Sequence, residues 1–224
     1  HFKNVTNFFH KDLMMIIPYV NGEPLMYKGI YEAIKHASEK KTLSLIATNG
    51  ILLNNNNSNK LIESGLDFIK IHVSGMTNPI HQIQHRKGDV NLILKNIENL
   101  VLLKNKKKSN LLIMFDYILY KHNSHELELA KEFSRKNNLI FNIRPGNPKG
   151  MEDTELAQRE GAFNNSKPCD WPWKAMTLNN NLDICPCCEF SVWSGPSPYG
   201  KVDIDTDYKN IWIGKKVREF RESH

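Results

Sequence analysis

The chain has 224 residues, 40% of them hydrophobic and 24% charged, with a formal net charge of +6 at pH 7. That length suits one large domain, or a domain plus a small module, with a full core built without disulfides, and the composition excludes a fibrous or mostly disordered chain. No window carries the ~18 consecutive apolar residues of a membrane helix, and the opening His1-Phe2-Lys3-Asn4 has no signal-peptide pattern.

The first residue is His rather than Met, so the chain reads as an excised fragment. A first strand is expected over Leu13–Pro18. A helix follows over Tyr27–Lys40, with Ile30, Ala33, Ile34 and Ala37 on one face. Strand Leu43–Ala47 leads through a polar loop, Asn54–Asn57, to a short helix, Asn59–Ser64, stopped by Gly65. Strand Asp67–Val73 precedes helix Val90–Leu103, whose Ile93, Leu94, Ile97, Leu100 and Val101 keep helical spacing. Strand Leu111–Leu119 precedes helix Ser124–Lys136, opened by Ser124 as N-cap, and strand Leu139–Ile143 follows. Continuous apolar strands without strict alternation indicate a parallel sheet covered by helices. Strand and helix in turn give an α/β fold, either an open doubly wound sheet or a (β/α) barrel.

After the turn-rich Arg144-Pro145-Gly146-Asn147-Pro148-Lys149-Gly150 the texture changes. A boundary is expected near 150, giving domains 1–150 and 151–224. A short helix is expected over Met151–Gly161, and a small metal-dependent module over 164–224. Trp171, Trp173, Trp193 and Trp212 are expected to pack that module.

The positive charge comes from 24 Lys and only 6 Arg, beside 26 Asn. Such a bias reflects an AT-rich genome. The densest basic run, Lys104 with Lys106-Lys107-Lys108, has neither the Arg nor the aromatics of a nucleic-acid surface and reads as a solvated helix end. No nucleic-acid partner and no membrane partner are expected.

All four cysteines are late: Cys169, Cys185, Cys187 and Cys188. Adjacent cysteines rarely pair with each other, and a secreted disulfide framework would be more evenly spread. A cytoplasmic metal site fits better. Thiolates suit iron–sulfur clusters and zinc alike, so residue types leave the metal open, and Cys185 also suits a small buried apolar position.

Polar residues gather where strands end. Asn21-Gly22-Glu23-Pro24-Leu25 follows the first strand, Thr48-Asn49-Gly50 the second, and Ser74-Gly75 the third. Each alone also suits an ordinary turn. Alternation puts Lys70, His72 and Ser74 on one strand face and Ile69, Ile71 and Val73 on the other. Asp116, Tyr117 and Arg144 lie near the ends of later strands, where α/β barrels place substrate contacts.

Together these segments resemble the radical S-adenosylmethionine (SAM) enzymes. Asn21-Gly22-Glu23-Pro24-Leu25 is similar to that family's Gly-Gly-Glu-Pro-Leu motif, with Asn for the first Gly. Ile71-His72-Val73-Ser74-Gly75-Met76 is similar to its ribose-contacting strand. His85-Arg86-Lys87-Gly88-Asp89-Val90 through Asn96-Ile97 is similar to the segment that follows. Cys169-Asp170-Trp171-Pro172-Trp173, Leu182-Asp183-Ile184-Cys185-Pro186-Cys187-Cys188 and Asn210-Ile211-Trp212 resemble the SPASM or twitch extension. The family's defining CxxxCxxC loop is absent, which suggests truncation upstream of His1, or a member that never binds the SAM-cleaving cluster.

The resemblance implies a partial (β/α)6 radical SAM barrel followed by a small Cys-rich SPASM-like module. It implies SAM as cofactor, bound through Gly22, Glu23, Pro24, Asn49, Ser74 and Arg86. It also implies an auxiliary 4Fe–4S cluster drawing on Cys169, Cys185, Cys187 and Cys188, with an incomplete ligand set. The intact enzyme would make a 5′-deoxyadenosyl radical that takes hydrogen from a peptide or small-molecule substrate. An electron donor such as flavodoxin or ferredoxin would serve it, and this chain alone would be inactive. The alternative is a non-catalytic, zinc-stabilised α/β binding module.

Overall fold

A computed structural model describes residues 2–9, 11–146, 169–188, 190, 199–202 and 208–223. The expected boundary at 150, the expected helix over 151–161 and Trp193 lie outside them. The chain divides into two compact units, 1–19 with 23–163, and 20–22 with 164–224.

The first unit is built on β1 (Met15–Ile16), β2 (Leu43–Thr48), β3 (Phe68–Val73), β4 (Leu112–Leu119) and β5 (Ile140–Pro145). They form one five-stranded sheet, parallel throughout, in the order β1-β2-β3-β4-β5. A doubly wound sheet needs a reversal of strand order, and this sheet has none. Between the strands run α2 (Ile30–Glu39), α3 (Asn55–Glu63), α4 (Asn78–Gln84), α5 (Val90–Lys106) and α6 (Leu127–Lys136), after an N-terminal α1 (Phe2–Phe9). Right-handed crossovers between consecutive strands set the helices on one face. The core shows which: Ile30 and Ile34 of α2, Leu61 of α3, Ile93, Ile97 and Leu100 of α5 and Ala130 of α6 pack on Ile46, Ile69, Ile71, Val73, Ile113, Phe115 and Tyr117. Lys70, His72, Asp116, Asn142 and Arg144 therefore belong to the face opposite α2, α3, α5 and α6.

Several boundaries differ from expectation. The first strand shortens to Met15–Ile16, because Pro18 has no N–H to donate. Its α2 starts at Ile30 because Pro24–Met26 forms a 3-10 turn first. The Asn run is not a loop: Asn54 caps α3 by accepting from the Asn57 N–H at 3.0 Å, and Asn55–Asn57 are helical. Ser124 is not a cap, since it sits inside a 3-10 turn, Lys121–Glu126, and its hydroxyl bonds back to the Lys121 carbonyl. The lysine run does close a helix: α5 ends at Lys106, Lys107 is its C-cap, and Lys107 pairs with Glu63 at 2.6 Å. Left-handed residues after α2, α5 and α6 are Lys41, Lys108 and Asn138, where glycine is usual.

The second unit carries a three-stranded antiparallel sheet of β6 (Thr177–Leu178), β7 (Asp183–Cys185) and β8 (Gly200–Lys201), with α7 (Trp171–Lys174), α8 (Tyr208–Trp212) and α9 (Lys215–Glu222). The Asn179 side chain shapes the β6–β7 turn by accepting from the N–H groups of Asn181 and Asp183, both at 2.9 Å. Ile184, Tyr199, Val202, Tyr208 and Val217 are buried. Of the expected tryptophans Trp173 does not pack this core: it is 45% exposed, because residues two apart on a single helical turn cannot share one buried face, whereas Trp171 and Trp212 are half-buried.

Candidate functional site

The polar residues picked out at strand ends fall on neighbouring strands of the parallel sheet, at their C-terminal ends. After β1, Gly22 has φ +86, a conformation suited to glycine. Glu23 opens the 3-10 turn, with Pro24 at its first position. Its carboxylate accepts from the Thr48 hydroxyl at 2.7 Å, the Asn49 N–H at 2.9 Å and the Leu25 N–H at 3.2 Å. A carboxylate offers about four lone-pair positions, so one acceptor site remains. The Asn49 side chain accepts from the Ile51 N–H at 3.0 Å, forming the turn itself. That turn is tied down by Asn96 of α5, whose amide donates to the carbonyls of Gly50 and Ile51 at 2.9 and 3.3 Å.

After β3, Ser74 is fully buried. Its N–H donates to His81 Nδ1 at 3.3 Å, its hydroxyl lies 3.1 Å from His85 Nε2, and its carbonyl accepts from the Asn123 amide at 3.0 Å. Gly75 has φ +159, and an added Cβ would lie 2.6 Å from the His81 nitrogen, so the close approach of α4 requires glycine there. Glu126, also buried, accepts from the N–H groups of Met76 and Thr77 and from the Thr77 hydroxyl, fixing the start of α4.

His81 and His85 escaped the sequence reading. A pair four residues apart in a polar stretch carries no apolar period, although that spacing was the available signal. Their rings stack with centroids 4.5 Å apart. Burial, then the neighbouring His85, pushes His81 down to about 4. Burial, then His72, lowers His85. The unfolded chain takes up these protons near pH 6.5 and the folded chain only lower. Stability is therefore full above pH 6.5 and falls as the pH drops toward 4. Urea unfolding at pH 7 and pH 5 should differ by about 2 kcal/mol in the unaltered chain, and by clearly less in His81→Gln. An equal pH dependence in the two would show that His81 does not carry it.

On the face opposite α2, α3, α5 and α6, β3, β4 and β5 put His72, Asp116 and Asn142 in direct register. Asp116 is wholly buried. His72 Nδ1 lies 2.7 Å from Asp116 Oδ2, Arg144 Nε donates to the same oxygen at 2.8 Å, and the Asn142 amide donates to Oδ1. Burial pushes the Asp116 carboxyl up, but hydrogen bonds from His72, Arg144 and Asn142, with the Arg144 charge, outweigh it and hold Asp116 well below the usual carboxylate range. An ionised Asp116 makes His72 Nδ1 the donor of their hydrogen bond. The Arg144 side chain is 43% exposed and keeps further N–H groups for an anionic group. Tyr117 points the other way and is a packing residue: it is fully buried and its hydroxyl donates to the Asn123 carbonyl at 2.8 Å.

The structure thus joins Glu23 to Asn49, places Ser74 on the adjacent strand, and gathers His72, Asp116 and Arg144 beside it. It does not bring in Arg86, which is exposed and makes no hydrogen bond or ion pair with the described residues.

In the second unit none of the four cysteines forms a disulfide. Cys169 and Cys188 are exposed and Cys187 is half-buried. Cys185 lies inside β7, 2% exposed, with its thiol 3.8 Å from the Asp183 carbonyl. Among the described residues no three of His, Cys, Asp and Glu converge on a single ion. Tetrahedral zinc needs four such ligands around one point. Thiolates ligate zinc and the irons of a cluster alike.

Residues 169–224 match the SPASM family model, an iron–sulfur cluster-binding domain. The chain is 30% identical over 84 residues to the Fe-coproporphyrin III synthase of Methanosarcina barkeri, which covers 38% of this chain and 21% of that protein. Its fold is similar to SuiB of Streptococcus suis bound to S-adenosylmethionine, with a TM-score of 0.69 at 13% identity, over 99% of this chain and 60% of that one. It is also similar to BtrN in complex with AdoMet and 2-DOIA, with a TM-score of 0.55 at 16% identity, over 99% of this chain and 71% of that one. The chain therefore spans about a fifth of the length of the curated relative and 60% of the SuiB chain. The parallel sheet with its polar strand ends has a fold similar to those of SuiB and BtrN. The cysteine-rich unit that follows it carries the match to the SPASM model. No helix among the described residues is long and apolar enough to cross a membrane.

Proposed function

We propose that the protein belongs to a radical SAM enzyme that binds S-adenosylmethionine at the C-terminal ends of β1–β3 and an auxiliary iron–sulfur cluster in residues 169–224. The observation that carries this reading is the placement of Glu23 with Asn49, and of Ser74, at the ends of adjacent parallel strands. In this proposal the remaining acceptor position of Glu23 and the loop carbonyls at Gly22 and Pro24 receive the SAM ammonium, and the Ser74 hydroxyl, held by His85, meets the ribose. Asn49 holds the loop shape, and Arg86 meets the SAM carboxylate only if its exposed segment moves. When bound, SAM and a reduced 4Fe–4S cluster supply a 5′-deoxyadenosyl radical for hydrogen abstraction. The chain's four cysteines all lie in 169–188, so none stands at the strand ends beside Glu23, Asn49 and Ser74.

His72 and Arg144 face the side where substrate would lie. Arg144 offers N–H groups to a substrate carboxylate or carbonyl, and His72 Nε2 accepts a proton or hydrogen bond there. A peptide is one substrate class in keeping with this face, since a related structure is SuiB bound to the precursor peptide SuiA; a small molecule is the other. A flavodoxin- or ferredoxin-like protein would deliver electrons.

The test is anaerobic reconstitution of the chain with iron and sulfide, followed by analysis of iron, labile sulfide and zinc. Iron and sulfide together are expected, with at least half lost in a Cys169→Ala, Cys188→Ala double variant. Zinc without sulfide would overturn the reading in favour of a structural zinc module.

A further inference from the structure

We propose that Tyr199, Trp171 and Arg221 form a hydrogen-bond cradle for the sulfurs of the auxiliary cluster and raise its reduction potential, an inference that rests on the cluster-binding reading above. Among the described residues, three buried polar atoms of the second unit have no hydrogen-bond partner: Tyr199 Oη, Trp171 Nε1 and Arg221 Nη2. Each can donate, and a buried unpaired donor is rare enough to call for an acceptor. Tyr199 itself is only 4% exposed.

The three share one neighbourhood. Arg221 Nε donates to the Pro172 carbonyl at 3.0 Å, which sets the guanidinium beside the turn that begins with Trp171, two residues after Cys169. Its Nη1 donates to the Trp212 carbonyl at 3.2 Å, and its carbon stands 4.2 Å from the centroid of the Trp212 ring. The planar group is thus fixed by two hydrogen bonds and a cation–π contact, with Nη2 left over. Tyr199 meets Phe220, the residue before Arg221, edge to face at 5.5 Å. Its phenol is pushed up by burial, against the pull of Arg221 and with an added push from Cys187, so Cys187 and Arg221 both act on the same hydroxyl.

The missing acceptor is not one of the unit's described carboxylates with a partner of their own. Asp170 pairs with Lys174, Asp183 accepts from the Asn179 amide at 3.0 Å, and Glu219 faces Lys215 at 3.6 Å. What fits three unmet buried donors in the unit that carries the cysteine thiols is a group rich in lone pairs, which is what the sulfides and thiolates of a cluster present. Hydrogen bonds to those sulfurs stabilise the more negative, reduced cluster and raise its potential.

The experiment is a redox titration of the reconstituted full chain, followed by electron paramagnetic resonance of the reduced cluster. Tyr199→Phe and Trp171→Phe each remove a single polar atom, and Arg221→Gln removes the guanidinium. Each variant is expected to retain iron and sulfide and to titrate at a more negative potential. For Tyr199→Phe, the oxidised-to-reduced ratio at the unaltered midpoint should rise roughly tenfold, which is 59 mV for one electron. Loaded Tyr199→Phe and Trp171→Phe that both keep the unaltered midpoint would overturn the cradle and leave cluster binding standing. An unaltered chain that takes up no iron and sulfide would overturn both.

Discussion

Asp116→Leu is expected to destabilise the first unit by about 3 kcal/mol at pH 7, the low end of the cost of removing one partner from a buried charged pair. The reason is what stays behind. His72, Arg144 and Asn142 all aim donors at this one carboxylate, and Asp116 has no exposed surface of its own. Arg144 reaches water and can rehydrate in part, which holds the figure below the upper range. The effect has a direction in pH. The Asp116 carboxyl is held well below its usual range, so its contribution is complete above about pH 4 and fades as the pH falls further. Urea unfolding of both chains should show the full difference at pH 7 and a smaller one at pH 3. A difference that does not shrink in acid would mean that shape, not charge, makes Asp116 necessary.

Glu23→Ala is expected to cost about 2–3 kcal/mol and to weaken SAM binding at least tenfold in the full chain. Its carboxylate receives the Thr48 hydroxyl and the N–H groups of Asn49 and Leu25, and Thr48 is almost wholly buried. Removing the acceptor leaves these donors unmet, at about 1 kcal/mol or more each where water cannot reach. Thr48→Val separates the two roles. It removes one donor to the carboxylate and the acceptor of the Gly50 N–H, and keeps the carboxylate, so stability should fall by about 1–2 kcal/mol while SAM affinity, measured by equilibrium dialysis, stays within about twofold. A parallel loss of affinity in Thr48→Val would show that Glu23 acts only as a loop clamp.

Much of this architecture is legible in the sequence because apolar runs between polar turns mark buried parallel strands. Leu43–Thr48, Phe68–Val73 and Leu112–Leu119 were all visible that way, and so was the face shared by Lys70, His72 and Ser74. Elements held by polar contacts were not. The Asn54 cap and the His81-bearing α4 rest on side-chain hydrogen bonds, which have no period to detect. Asp116 drew notice only as a strand-end residue. Its partners come from strands 44 and 26–28 residues away, so the network exists only once the register is set. In the cysteine-rich unit the thiols were evident, whereas the orphaned donors were invisible, since a missing partner is a property of packing.

The turn between β4 and α6 has a consequence for how this protein can diverge. Asn123 reaches across to the Ser74 carbonyl, and Glu126 holds the Met76 and Thr77 amides, some 50 residues away in sequence. A lineage that reshapes this turn to admit a new substrate therefore also shifts the serine loop of the neighbouring strand. Change there is inherited in pairs: variants at Asn123 or Glu126 should survive mainly alongside compensating changes at positions 74–78, and chimeras that swap one loop without the other should lose affinity for whatever Ser74 holds.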